Sequence, residues 1–125
     1  MIQRHTEFLV IGAGPYSIAT AAYAKSLGVE VTVVGKTLDL WKTNMPRGMF
    51  LRSAVNWHLD AREVATFEAY VQERGLTRAQ VKPVALDTFL DYASWFMGQA
   101  DLAVSPTLVT RLEKFGGAYT ATMDD

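Results

Sequence analysis

Hydrophobic positions along the chain change period several times, and each change marks an element. Glu7-Phe8-Leu9-Val10-Ile11 is a short apolar run ending at Gly12, the pattern of a strand buried on both faces of a parallel sheet. From Pro15 to Leu27 the spacing becomes helical, with Ile18, Ala21, Ala22 and Lys25 in register. Pro15 suits the first helical turn and Gly28 is placed as the stop. Glu30-Val31-Thr32-Val33-Val34 is β-branched and reads as the next strand. Strand, tight turn, helix and strand within residues 7–36 make a βαβ unit, whose crossover is right-handed.

Periodicity then fades. Residues 37–64 contain Pro46, Gly48 and scattered Met and Trp, and read as an irregular loop with room for one short helix. A loop of that length in a small domain is usually functional. Residues 65–98 read as a helical segment: one helix over Ala65–Arg74 stopped by Gly75, a connector over Thr77–Pro83, then a second helix. Asp87 is the expected N-cap of that second helix and Gly98 its expected end; Phe89, Leu90, Ala93, Phe96 and Met97 form its apolar face. Residues 102–123 read as strands. Leu102–Val104 is the candidate third parallel strand, and Leu108–Glu113 and Ala118–Met123 a hairpin turned at Gly116-Gly117.

The turn between the first strand and helix, Gly12-Ala13-Gly14-Pro15-Tyr16-Ser17, carries the chemistry. Gly12 permits a sharp turn and Gly14 lets a diphosphate approach the backbone. The third position must be small for helix and strand to pack, and here it is Ser17. The helix N-terminus then faces the phosphates. With its strand–turn–helix setting this predicts dinucleotide binding; the alternative is a doubly wound domain with an incidental glycine turn. One position departs from the pattern. The acid that usually grips the adenosine ribose is replaced by Gly35, followed by Lys36, which either faces a phosphate or is simply solvated.

Composition bounds the rest. A chain of 125 residues, half of them hydrophobic, supports one domain with a core. The net charge of −1 gives no reason to expect nucleic acid or an anionic membrane as partner. Lys36, Lys42, Arg47 and Arg52 nevertheless face only one acid, Asp39, between Gly35 and Ser53, which suits a phosphate-rich ligand. There are no cysteines, which removes disulfides, thiol nucleophiles and Cys-based zinc sites and fits a cytoplasmic location. The polar start Met1–Glu7 is not a secretory signal, and no stretch resembles a membrane span. No metal-ligand cluster or nucleophile–base pair stands out.

Val10-Ile11-Gly12-Ala13-Gly14-Pro15 resembles the amino-terminal signature of FAD-dependent oxidoreductases with two dinucleotide-binding domains. Leu40-Trp41, the run Met45–Ser53, and His58-Leu59 look like the flavin-side loop of bacterial flavin monooxygenases and FAD-dependent urate hydroxylases. Thr66–Tyr70 and Phe89–Tyr92 resemble the helical segments that follow in that group. The resemblance implies an α/β fold: a Rossmann-like βαβ FAD-binding unit with a short parallel sheet, a helical insert and a C-terminal β-hairpin. It implies FAD as cofactor and a small-molecule substrate, with NADPH expected only in a full-length relative.

The candidate cofactor-binding residues are Gly12, Gly14, Pro15, Tyr16, Ser17, Gly35 and Lys36 from the turn, Trp41, Leu51, Arg52 and Ser53 from the loop, and Val109, where the family holds adenine with a strand backbone. Trp41 is placed either against flavin or over the core; Arg52 suits phosphate through its paired donors. His58 is expected to be a structural or surface histidine rather than an acid/base group, and His5 to lie on the surface. No catalytic residue is named, because in flavoenzymes the cofactor carries the reaction. There is no second Gly-rich motif and no later Ala-Thr-Gly or Gly-Asp segment. The chain is therefore expected to be an FAD-binding start, inactive alone, with open sheet edges that favour a homo-oligomer or the remainder of a longer chain. Two other readings stand beside it: a non-catalytic nucleotide-binding or interaction module, and an NAD(P)-binding reductase domain.

Overall fold

A computed structural model describes residues 3–54 and 56–124; Met1 and Ile2 of the polar start, Val55 of the loop and Asp125 lie outside the described residues. Strand β1 (Phe8–Ile11) leads through the glycine turn into helix α1 (Pro15–Ser26), and β2 (Val31–Val34) follows. Two parallel ladders form one sheet. β1 pairs with β2 in the register Phe8↔Val31 to Ile11↔Val34, and β2 pairs on its other side with β5 (Val104–Ser105). Gly28 stops α1 as expected, at φ +84 with its amide on the Lys25 carbonyl.

Helix α1 lies between two apolar clusters, which explains its run of small residues. On one side Ala21 packs with Val10, Ala13 and Val33 of the sheet. On the other Ile18, with Ala19 and Ala22, joins the larger core. Most of that core comes from α3 (Leu86–Gln99), which buries Leu86, Phe89, Tyr92, Ala93 and Phe96. Each such aromatic is worth about 1.5–3 kcal/mol of burial. Helix α2 (Phe67–Glu73) adds Phe67, Tyr70 and Val71. It is capped by Thr66, whose Oγ1 accepts from the Ala69 amide at 3.1 Å, and Gly75 ends it at φ +69.

The expected boundaries of α3 are both corrected. Its N-cap is Ala85, not Asp87, because a second small sheet precedes it: β3 (Phe50–Leu51) pairs antiparallel with β4 (Val84–Ala85). That pairing brings the Met49 carbonyl to the Leu86 amide at 2.8 Å, so an orphan amide of the first turn is satisfied by backbone and no side-chain cap is required. Asp87 sits in the first turn, where its charge suits the helix dipole. The helix also runs through Gly98 to Gln99, and Asp101 at φ +50 turns the chain instead. The Leu102 amide bonds back to Met97, so the third parallel strand begins at Val104, two residues later than expected. The connector after α2 holds one 3-10 turn, Arg78–Val81, before β4. The hairpin of β6 (Val109–Phe115) and β7 (Ala118–Met123) turns at Gly116-Gly117 as expected, with a bulge between Val109 and Arg111.

The region 37–64 is more ordered than an irregular loop. It contains a π-helical turn, Leu40–Asn44, and β3, and a buried polar hub fixes its end. The Asp60 carboxylate, 5% exposed, accepts from the amides of Arg62 at 2.9 Å, Val64 at 3.2 Å and Ala65 at 2.8 Å. The fully buried Tyr92 hydroxyl accepts from the Leu59 amide at 3.0 Å and donates to the Ala65 carbonyl at 2.8 Å. Burial alone would raise the Asp60 pKa; the Ala65, Arg62 and Val64 amides and the Arg62 charge outweigh it and hold the value below 3.8. Burial, with the Asp60 charge adding to it, pushes Tyr92 up to about 12.

A carboxyl whose folded pKa is depressed stabilises the fold above its unfolded value and loses that contribution as pH falls through the folded one. Asp60→Ala should therefore cost about 2–3 kcal/mol at pH 7, since three buried amides lose their acceptor. The wild-type advantage over the variant should shrink below pH 4. Urea unfolding of both proteins at pH 7 and pH 3 checks this, and an unchanged difference between them contradicts it.

Candidate functional site

The glycine turn is built by three backbone hydrogen bonds. The Gly12 amide donates to the Val34 carbonyl at 2.7 Å, the Gly35 amide to Ser105 at 2.9 Å, and the Leu38 amide to Ala13 at 2.9 Å. These bonds tie the ends of β1, β2 and β5 to the start of α1. Gly12, at φ +108, needs its glycine for the conformation itself, and a Cβ there would lie 3.6 Å from the Ser17 Oγ. Ser17 is small because its side chain stands beside that turn.

Gly35 is more constrained. It is buried at φ +138, and a Cβ would sit 3.1 Å from the Gly12 Cα and 3.2 Å from the Ala13 nitrogen. The missing acid at this position thus has a steric reason: two glycine backbones are in contact where a side chain would have to emerge.

Gly14 differs from both. Its φ of −80 is open to any residue, and a Cβ there would meet nothing within 4 Å. Neither conformation nor packing requires the glycine, and its backbone is open to close approach by a ligand. Around it, the amides of Gly14, Tyr16 and Ser17 make no hydrogen bond among the described residues, and Pro15 has none to give. The first helical bond, Ile18 to the Gly14 carbonyl at 3.0 Å, starts beyond them. Three donors at the positive end of a 12-residue helix, with open space above Gly14, fit a diphosphate. Tyr16 is 90% exposed beside them, and Lys36 is exposed with no ion pair among the described residues.

The loop residues gather elsewhere on the same core. Trp41 lies on the π-helical turn, half-buried, its ring 4.9 Å from Phe89; the Trp57 ring lies 5.4 Å from Phe89. The Trp41 ring thus packs against the core and remains partly exposed. Leu51 and Ser53 line a cavity of about 10 Å³ with Trp57 and Phe89, and Arg52 is exposed beside them without an ion pair among the described residues. Val109 stands apart, opening β6 in the separate hairpin. His58 is tied into the loop: Nδ1 accepts from the Asp60 amide at 3.2 Å and Nε2 lies 4.0 Å from Glu63. A larger cavity of about 190 Å³ opens between α2 and the 3-10 turn, lined by Phe67, Val71, Leu76 and Val81 with a rim that includes the Glu68–Arg78 ion pair; it contains none of the predicted site residues. The hub residues Asp60 and Tyr92 were not legible as partners, because they are 32 positions apart and only the fold joins them.

No protein-family model and no curated protein matches the chain. Solved structures do. Bacillithiol disulfide reductase from Staphylococcus aureus superposes with a TM-score of 0.77 at 17% identity, over 98% of this chain and 35% of its own. Ornithine N-hydroxylase from Kutzneria sp. 744, in a complex with reduced FAD, NADP+ and L-ornithine, gives 0.77 at 16% identity, over 97% of this chain and 33% of its own. A flavin monooxygenase from Stenotrophomonas maltophilia gives 0.69 at 16% identity, over 95% and 33%. The chain shares the fold of these oxidoreductases. It spans about a third of the length of each. The α/β, Rossmann-like architecture with parallel sheet, helices and terminal hairpin is therefore as the sequence predicts. No helix among the described residues is long and apolar enough to cross a membrane.

The different roles of the glycines are separable by substitution. Gly35→Ala should cost at least about 2 kcal/mol, from strain and backbone overlap. Gly14→Ala should change stability by no more than about 1 kcal/mol, the range of an N-cap exchange. Denaturant midpoints of the two variants test the contrast; equal losses would remove the distinction.

Proposed function

We propose that this chain is the FAD-binding N-terminal segment of an NADPH-dependent flavoprotein monooxygenase or related oxidoreductase, and that it is inactive alone. The observation that carries the reading is Gly14, a glycine required by neither its φ nor its surroundings, at the N-terminus of α1. The likeness in fold to a flavin monooxygenase and to an N-hydroxylase in complex with reduced FAD and NADP+ supports it. So does the resemblance of Gly12–Pro15 and Met45–Ser53 to the FAD site of such enzymes.

In this reading the Gly14, Tyr16 and Ser17 amides hold the diphosphate, and the Arg52 guanidinium supplies a second, exposed anion contact. Trp41 and Leu51 form the wall behind the flavin side, while Ser53 offers a hydroxyl at its edge. Val109 contributes main-chain groups toward adenine. FAD, when bound, supplies the redox chemistry. The residues of this chain bind and orient it, and NADPH and substrate belong to the remainder of a full-length relative.

Titration of the purified protein with FAD should show saturable binding, followed by quenched flavin fluorescence and a rise in melting temperature. Gly14→Ala should weaken FAD binding at least about tenfold, from loss of close contact at the diphosphate. A folded wild-type protein that neither quenches flavin nor shifts its melting temperature sinks the proposal.

A further inference from the structure

We propose that the outer edge of β7 pairs antiparallel with the same edge of a second copy of this chain, joining two hairpins into one four-stranded sheet. The hairpin forms a sheet of its own, and β6 is the one strand bonded to β7 among the described residues. Its two-residue turn makes Phe115 and Ala118 a hydrogen-bonded pair, and bonding toward β6 alternates along β7 from there. Ala118, Thr120 and Thr122 turn their backbone groups toward β6, and the Asp124 amide continues the series by donating to the Leu108 carbonyl at 3.0 Å. Tyr119, Ala121 and Met123 turn theirs outward.

Open edges are normally guarded by charge, proline, shortness or a covering element. β6 carries Arg111, Glu113 and Lys114, whereas the six residues of β7 include no charge, proline or glycine. The outer strands of the parallel sheet are shorter, with four residues in β1 and two in β5. The sequence of β7 is also complementary to itself. A two-fold axis at Ala121 sets Ala121 opposite Ala121, Tyr119 opposite Met123 on both sides, and Asp124 opposite Ala118, so no like charges meet. The Tyr119 ring, 66% exposed, then gains a thioether as neighbour. Four paired strands supply the support that a two-stranded hairpin lacks.

Sedimentation velocity of the purified chain should show a monomer–dimer equilibrium with Kd in the micromolar range, as a small interface gives. Ala121→Pro removes an outward amide without touching a bond to β6, and should raise Kd at least about tenfold. Leu112→Lys, on the same face but on β6, should leave Kd within about threefold, which separates edge pairing from packing of one hairpin face on another. The chain has no cysteine, so a single introduced one reports the register. Ala121→Cys places two Cα atoms about 5.5 Å apart across the axis and should give a disulfide-linked dimer on mild oxidation. Ala118→Cys, roughly 20 Å from its counterpart, should not. The cysteine readout stays decisive if the proline variant unfolds the hairpin, and none of these measurements requires FAD. A wild-type chain that is monomeric at millimolar concentration overturns the proposal. So does a dimer that Ala121→Pro leaves intact or Leu112→Lys dissociates, or equal trapping of the two cysteine variants.

Discussion

Two glycine backbones in contact organise the parallel half of this protein. Gly35 lies so close to Gly12 that a Cβ on Gly35 would come within 3.1 Å of the Gly12 Cα. The contact ends β1 and β2 at the same level and lets the Gly12 amide reach Val34. It also holds the segment after β2 over the turn, where Leu38 bonds to Ala13. Leu38 adopts φ +51, a conformation costing about 1–2 kcal/mol for a non-glycine residue. Its side chain is 2% exposed, and burial of a leucine at about 1.5–3 kcal/mol offsets that strain. The same contact that fixes the fold denies the site its usual carboxylate.

Helix α3 organises the other half. Phe89 contacts both Trp41 and Trp57, drawing together two ends of a loop that has little regular structure. One turn further on, Tyr92 bonds to Leu59 and Ala65, while Asp60 gathers the amides between them. Isolated turns of this kind are weak, but buried hydrogen bonds in a low-dielectric setting hold a loop in one shape. A rigid scaffold beneath exposed polar residues is the usual way to position a binding loop. Arg52 and Ser53 are placed by such a scaffold, although neither contributes to the core.

What could be read from the chain follows from the range of the forces involved. The βαβ unit was legible because its signals are local: β-branched runs, a 3.6-residue period, Pro15 at the helix start and Gly28 at its end. The Gly75 stop and the Gly116-Gly117 turn were legible for the same reason. The start of α3 was misread at Asp87 because its cap is a carbonyl from Met49, 37 residues earlier, and no local preference records that. Gly98 was misread as a stop because a helix tolerates glycine at modest cost when its neighbours are well buried, as Phe96 is here. Residues 37–64 looked irregular because their order is imposed by α3 and β4, not by their own period. At the site, the glycines were legible as a group, but the division between Gly12 and Gly35, needed by the fold, and Gly14, free of it, required the surrounding atoms.

The hairpin completes the argument by contrast. No residue of β6 or β7 is buried, and Leu112, Phe115 and Tyr119 are 52–66% exposed. Its stability rests on cross-strand pairs worth about 0.2–1 kcal/mol each and on the Lys114 ammonium over the Tyr119 ring. A two-stranded hairpin of that kind is marginal by itself. It lies at the low end of local stability, whereas the glycine turn lies between two apolar clusters. A ligand bridging the turn and Val109 would therefore meet a rigid diphosphate cradle at one end and a weakly held strand at the other. In the FAD-binding reading proposed above, binding energy would order the hairpin rather than reshape the turn, and the adenine end would adapt to the diphosphate end at Gly14.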